Sequence, residues 1–240
     1  MASDSQFDLV VSLGGNCAAA QQLCYKFFRT EAYPFDWTYF TSDEAVYQLI
    51  QGFKDDFKDY ALKENFEELP ANPSHPDRIQ YKDNYAKIVW ANHFYYGKDD
   101  YYCVKEKLNR RFKRLVNSVK KSHSILFVFS VSFKIEPDSF VALMSALNNL
   151  YPDKLFKIKV CSFDAGGDCE YKNNDVEIFY YKRMMNSSDF DTTNNDWNFL
   201  DNINSWARKV ARVRYRITKR LIKLIPVKKI RHKLKRKYHV

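Results

Sequence analysis

Cys17 is the residue whose neighbours best equip it for chemistry. It follows Ser12-Leu13-Gly14-Gly15-Asn16. The apolar run Phe7 to Leu13 predicts a buried strand, the paired glycines a tight turn, and Asn16 the N-cap of a helix reaching about Phe28. A cysteine at such a handover lies at the carboxyl edge of a parallel sheet, where open α/β folds place their ligands. The unpaired N–H groups and partial positive charge of a helix start lower a thiol pKa and can receive an oxyanion. That environment suits a nucleophile; a free cysteine there is also simply a small buried hydrophobe. Ser12, Gly14, Gly15 and Asn16 are candidate substrate-binding residues, since exposed amides at the glycine turn also bind anions. The turn lacks the third glycine of a dinucleotide fingerprint and the Lys-Ser/Thr of a P-loop.

A thiol nucleophile needs a base. His93 ends a predicted strand from Tyr85, and from a strand beside the first it could reach Cys17 along the same sheet edge; its plainer reading is a partly buried histidine. His75 falls in a proline-rich loop, His123 before a strand at the opposite edge, and His232 and His239 near the C-terminus. Orienting carboxylates could come from Asp164, at the end of a strand from Phe156 to Phe163, or from Asp196, which also reads as a helix N-cap. In Pro34-Phe35-Asp36-Trp37 the proline stiffens a turn, and Phe35 and Trp37 pack inward. Asp36 is then a turn acceptor or, with Trp37, part of a pocket wall. The five cysteines, Cys17, Cys24, Cys103, Cys161 and Cys169, contain no C-x-x-C pair, so neither a zinc site nor a disulfide framework is expected, and no cofactor is called for.

The elements that must carry these residues are legible in the periodicity. Helices are predicted over Ser42 to Phe57, Tyr101 to Lys121 and Ser139 to Leu150, and strands over Ser124 to Val131, Phe156 to Phe163 and Val176 to Tyr181. Strands separated by helices imply βαβ crossovers. The fold class expected is therefore α/β, a mainly parallel three-layer sheet with helices on both faces, plus a basic amphipathic C-terminal helix.

Of 240 residues, 45% are hydrophobic and 28% charged, which suits a folded chain rather than disorder. The net charge of +10 is unevenly placed: residues 207–240 hold fifteen Lys or Arg and no acid, leaving the first 206 residues at −5. Two regions follow: an α/β domain over 1–206 and a basic tail over 207–240. The acidic balance of the domain argues against a nucleic-acid surface there. In the tail, Val210, Val213, Ile217, Leu221 and Leu224 recur at helical spacing among basic residues, the pattern of a helix lying in a membrane interface. An anionic membrane surface met through Arg208 to Lys237 is the expected partner. The polar N-terminus, without a signal-peptide pattern, and the absence of a long apolar run predict a cytoplasmic protein peripheral to the inner face of the plasma membrane.

Ser12-Leu13-Gly14-Gly15-Asn16-Cys17 together with Pro34-Phe35-Asp36-Trp37 resembles a mainly bacterial family described as papain-like cysteine peptidases. His93-Phe94 and Arg110-Arg111-Phe112 look like that family's next landmarks, and the likeness runs over about residues 7 to 130. It implies Cys17 as nucleophile and His93 as general base, acting on a polypeptide, acyl or glycan substrate; a doubly wound sheet would favour a thiol hydrolase or acyl transferase as readily as a peptidase. The run Leu224-Ile225-Pro226 with the basic residues after it also looks like the C-termini of enzymes that assemble surface polysaccharide. A non-proteolytic glycan-assembly protein, holding a phosphate-bearing ligand at the glycine turn, is the alternative.

Overall fold

The apolar run after Phe7 forms strand β1 (Leu9–Ser12), and the Asn16-capped segment forms helix α1 (Cys17–Tyr25). The computed structural model describes residues 6–29, 31–73, 75–97, 101–163, 170–182 and 195–203, and in the tail 208–209, 212–213 and 215–218. After β2 (Thr38–Phe40) come α2 (Glu44–Lys54), β3 (Phe66–Glu68), β4 (Arg78–Asp83), β5 (Ile88–Tyr95) and α3 (Tyr101–Lys121). β6 (Ser124–Val131), α4 (Pro137–Leu150), β7 (Leu155–Phe163), β8 (Glu170–Lys172) and β9 (Val176–Tyr181) follow, then a 3-10 helix at Asn195–Leu200.

The strands form two sheets. One has the order β1-β6-β7-β9-β8, parallel except for the edge strand β8; the other, β2-β5-β4-β3, is antiparallel. The α/β expectation with a mostly parallel sheet therefore holds, but the chain adds a second sheet between α1 and α3. β5 belongs to that second sheet, so the strand bearing His93 does not neighbour β1, whose partner is β6.

Alternation along β6 divides the packing. Ile125, Phe127, Phe129 and Val131 join one apolar cluster with residues of α2, α3 and α4, while Leu126 and Val128 join another with Ala18, Ala19 and Leu23 of α1 and Trp197 and Leu200 of the 3-10 helix. Phe35 anchors the antiparallel part: fully buried, its ring lies 5.6 Å from Phe57, 5.9 Å from Tyr60, 6.5 Å from Trp90 and 5.7 Å from Phe112. Burial of such a ring contributes roughly 1.5–3 kcal/mol. Asp83 closes the β4–β5 hairpin, accepting from the N–H groups of Ala61, Tyr85 and Ala86 and from Trp90 Nε1 at 2.9–3.3 Å. Among the described residues, no helix is long and apolar enough to cross a membrane.

The turn between β1 and α1 is the tightest place in the fold. Gly14 and Gly15 have φ of +95° and +91°, and a Cβ on Gly15 would stand 2.3 Å from the Ser130 carbonyl oxygen. Gly15→Ala is expected to destabilise the protein by about 3 kcal/mol or more, combining left-handed backbone with a backbone clash. Gly97→Ala, at φ +65° with nothing within 4 Å among the described residues, is the control, with a cost of about 1 kcal/mol from the backbone alone. Urea unfolding of both variants measures the gap between them.

Candidate active site

The glycine turn is held from three sides. Leu13 N–H donates to the Val128 carbonyl (3.1 Å), Ser130 N–H to the Gly14 carbonyl (3.2 Å), and Phe40 N–H of β2 to the Gly15 carbonyl (3.1 Å). Ser12 Oγ accepts from the Gly14 N–H at 3.2 Å, so Ser12 braces the turn from within. Gly14 also abuts the Pro34-Phe35-Asp36-Trp37 turn: a Cβ there would meet Thr38 Oγ1 at 2.8 Å and Phe35 Cβ at 3.2 Å. The two sequence motifs are thus one packed unit.

Asn16 is fully buried with extended backbone, and its Oδ1 accepts from the Ala18 N–H at 2.9 Å, as an N-cap should. Its Nδ2 donates to Ser132 Oγ beyond β6 at 3.1 Å. The cap therefore uses one of the amides that an oxyanion at this helix start would otherwise find.

Cys17 opens α1 with 9% of its surface exposed, and its Sγ lies 3.9 Å from Tyr39 Oη on β2. Burial pushes the thiol pKa up. The Tyr39 hydroxyl, the residue's own N–H and the Arg78 guanidinium at the start of β4 oppose the shift without cancelling it. Burial likewise pushes the Tyr39 phenol well up, so Tyr39 is a hydrogen-bond donor rather than a base. Burial is the largest of the influences on this thiol's pKa.

His93 is buried on β5, and its ring packs edge-on against Trp90 at 5.3 Å. Among the described residues its Nε2 has no hydrogen-bond partner. Burial lowers its pKa to about 3, and the cations Arg111 and Lys107 of α3 push the same way. His93 and Cys17 are not hydrogen-bonded to one another, and no carboxylate is among the charges that set the His93 pKa. Asp196 lies at the 3-10 helix, where its carbonyl accepts from Tyr181 Oη at 3.0 Å and faces the Cys161 thiol at 4.0 Å. Asp164 lies outside the described residues.

Asp36 is buried. Its Oδ2 accepts from Arg29 Nε and Nη2 and from the Tyr33 N–H at 2.8–3.0 Å, while Oδ1 has no partner among the described residues. Desolvation raises its pKa against the pull of Arg29. Trp37 is half-buried with the Arg29 guanidinium 5.9 Å from its ring. Through Arg29 this pair ties the Pro34–Trp37 turn to the end of α1. Among the described residues, no group of His, Cys, Asp and Glu side chains could hold a metal ion.

Tyr39 and Arg78 are the residues that sequence reading missed. Tyr39 sits two residues past the Pro34–Trp37 turn in a strand too short to show alternation. Arg78 directly follows the proline-rich segment, whose loop character masks the strand it opens.

A mixed α/β fold with a cysteine at the first strand-to-helix turn defines the class of molecule. A family model described as "putative papain-like cysteine peptidase" matches residues 8–166, and the chain belongs to that family. No curated protein and no solved structure matches the chain.

The buried neutral His93 makes a pH prediction. Its folded pKa lies below the unfolded value of about 6.5, so the unfolded chain binds the extra proton. Stability contributed by His93 is complete above that value and is lost as pH falls toward 3, by up to about 1.4 kcal/mol per pH unit. The raised Asp36 pKa acts with the opposite sign, its stability complete below the unfolded value of about 4 and lost as pH rises from there through the folded value; that slope is common to the wild type and to His93→Phe. Urea midpoints between pH 7 and pH 5 should therefore fall for the wild type and less for His93→Phe; equal slopes would remove His93 from this account.

Proposed function

We propose that the protein is a thiol-dependent hydrolase or acyl transferase of the peptidase type, with Cys17 as its nucleophile. What carries this reading is the Cys17 sulfur at the start of α1, within 3.9 Å of the Tyr39 hydroxyl and acted on by Arg78. The resting thiol is protonated. Its thiolate, once formed, is stabilised by the Tyr39 O–H and by the Arg78 charge, both of which favour the anion. Attack forms an S–C bond to a substrate carbonyl, and the thiol proton passes to the leaving group as the carbonyl–leaving-group bond breaks. Water or an acceptor then cleaves the acyl-thioester. With the Ala18 N–H engaged by Asn16, the amides of Gly15, Asn16 and Cys17 are the candidates for receiving the oxyanion. His93 enters as a base only if the packing around Trp90 opens to bring its ring to the sulfur.

Arg78, whose charge acts on Cys17, also favours a second reading. A cation acting on Cys17 and Tyr39 suits a ligand carrying a phosphate or carboxylate, as the glycan-assembly alternative requires.

Alkylation by iodoacetamide, followed on the Cys17 peptide by mass spectrometry, tests the first reading. The rate should climb steeply above pH 8, and Tyr39→Phe and Arg78→Met should each lower it several-fold at that pH by raising the thiol pKa further. Turnover of an activated ester, with its acyl adduct visible on the intact protein, should disappear in Cys17→Ser. Activity surviving that substitution would end the nucleophile assignment and leave the ligand-binding reading.

A further inference from the structure

The start of the basic tail is docked on the domain, and the way it docks fixes which of its faces looks outward. Arg208, the first basic residue of the tail, is buried. Its guanidinium donates to the carbonyls of Leu200, Asp201 and Ile203, where the 3-10 helix ends, and to that of Lys26 at the end of α1, all at 3.0–3.3 Å. It also lies 4.5 Å from the Phe28 ring and 3.4 Å from the Asp201 carboxylate. A cation that satisfies helix-terminal carbonyls is well matched to its place, and it is not available to an outside partner.

Seven residues on, Tyr215 packs edge-on against Phe27 at 5.1 Å. Phe27 ends α1 with φ of +65°, a position usually given to glycine. The Phe28 and Arg29 N–H groups both bond back to the Leu23 carbonyl. This left-handed cap presents the Phe27 ring to the tail, and Arg212 flanks it at 5.9 Å.

With Arg208 and Tyr215 turned inward, helical geometry turns Lys209, Val213, Arg216 and Ile217 outward. All four are exposed, Val213 and Ile217 at 55% and 54%. Cations thus share one outward face with bare aliphatic side chains, and the chain beyond residue 218 continues with ten more basic residues and no acid. The first 206 residues carry −5, so the charge on this face is not matched to its own domain as a whole. Phosphate binding alone would use the cations and leave Val213 and Ile217 idle. A bilayer interface takes both, the aliphatic groups below the headgroups and the cations among them.

We propose that the outward face of the docked tail helix, Lys209, Val213, Arg216 and Ile217, binds the surface of an anionic lipid bilayer, with Arg208 as the clasp that orients it. The proposal is independent of the chemistry at Cys17.

Sedimentation of the full chain with phosphatidylglycerol–phosphatidylcholine vesicles, against phosphatidylcholine alone, tests it. Binding to the mixed vesicles that weakens with salt is expected. Lys209→Ala and Arg216→Ala should each lower the partition coefficient about fivefold, and the double variant Val213→Asp/Ile217→Asp at least about tenfold. All four side chains are exposed, so melting temperatures should stay at the wild-type value; a variant that melts early is replaced by Val213→Ser/Ile217→Ser, which keeps the aliphatic loss without the charge. Equal binding to neutral vesicles, no response to the aliphatic substitutions, or displacement from vesicles by a duplex oligonucleotide would overturn the proposal, the last in favour of nucleic acid.

Discussion

Two missing Cβ atoms govern the front of this molecule. Gly15 lies against the Ser130 carbonyl of β6 so closely that any side chain would collide with backbone, and Gly14 lies against Phe35 and Thr38. The glycine turn is therefore clamped between the parallel sheet on one side and the antiparallel sheet on the other. Because the Gly15 contact is made by backbone, the clamp has little freedom to relax there. Its effect is to place Asn16 where it can cap α1 and still reach Ser132, and to bring Cys17 beneath Tyr39.

The far end of α1 is fixed by charge rather than by close approach. Arg29 grips the buried Asp36 through two nitrogens, and Arg208 takes the Lys26 carbonyl. A buried carboxylate with one oxygen left unpartnered is expensive on its own, and its pairing with arginine offsets much of the desolvation. The arrangement ties the Pro34–Trp37 turn to the helix that carries the thiol. α1 is only nine residues long, too short to be stable by itself, so these ties at both ends hold the nucleophile candidate in register with its neighbours.

Long periodic segments were readable from sequence. α3 begins and ends at the residues its apolar spacing predicts, as do β6 and β9, because each buries a full face. The antiparallel sheet was not readable as a whole. β2 and β3 have three residues each, too few to display a period, and β4 is half-buried along most of its length with no clean alternation. The predicted strand from Tyr85 began too early because Asp83 folds residues 83–87 into a turn through the N–H groups of Tyr85 and Ala86. Assigning β5 to the wrong sheet then placed His93 beside β1. For the site, the Gly-Gly-Asn-Cys spacing located the thiol and its cap correctly, whereas the thiol's raised pKa depends on burial and on Tyr39 and Arg78, contacts made across sheets that no local pattern encodes.

The order of strands has a consequence for how the chain matures as it leaves the ribosome. β1 pairs with β6 alone, and the bonds that seat its first residues join Asp8 to Ser124 across 116 positions. The Arg208 clasp on α1 spans 182. The first strand and helix to emerge are thus among the last to be secured, and the intervening antiparallel sheet, with its locally paired strands, has time to assemble before they are. A nascent chain of this design carries its apolar β1 and the Cys17 thiol without their partners until β6 has been made.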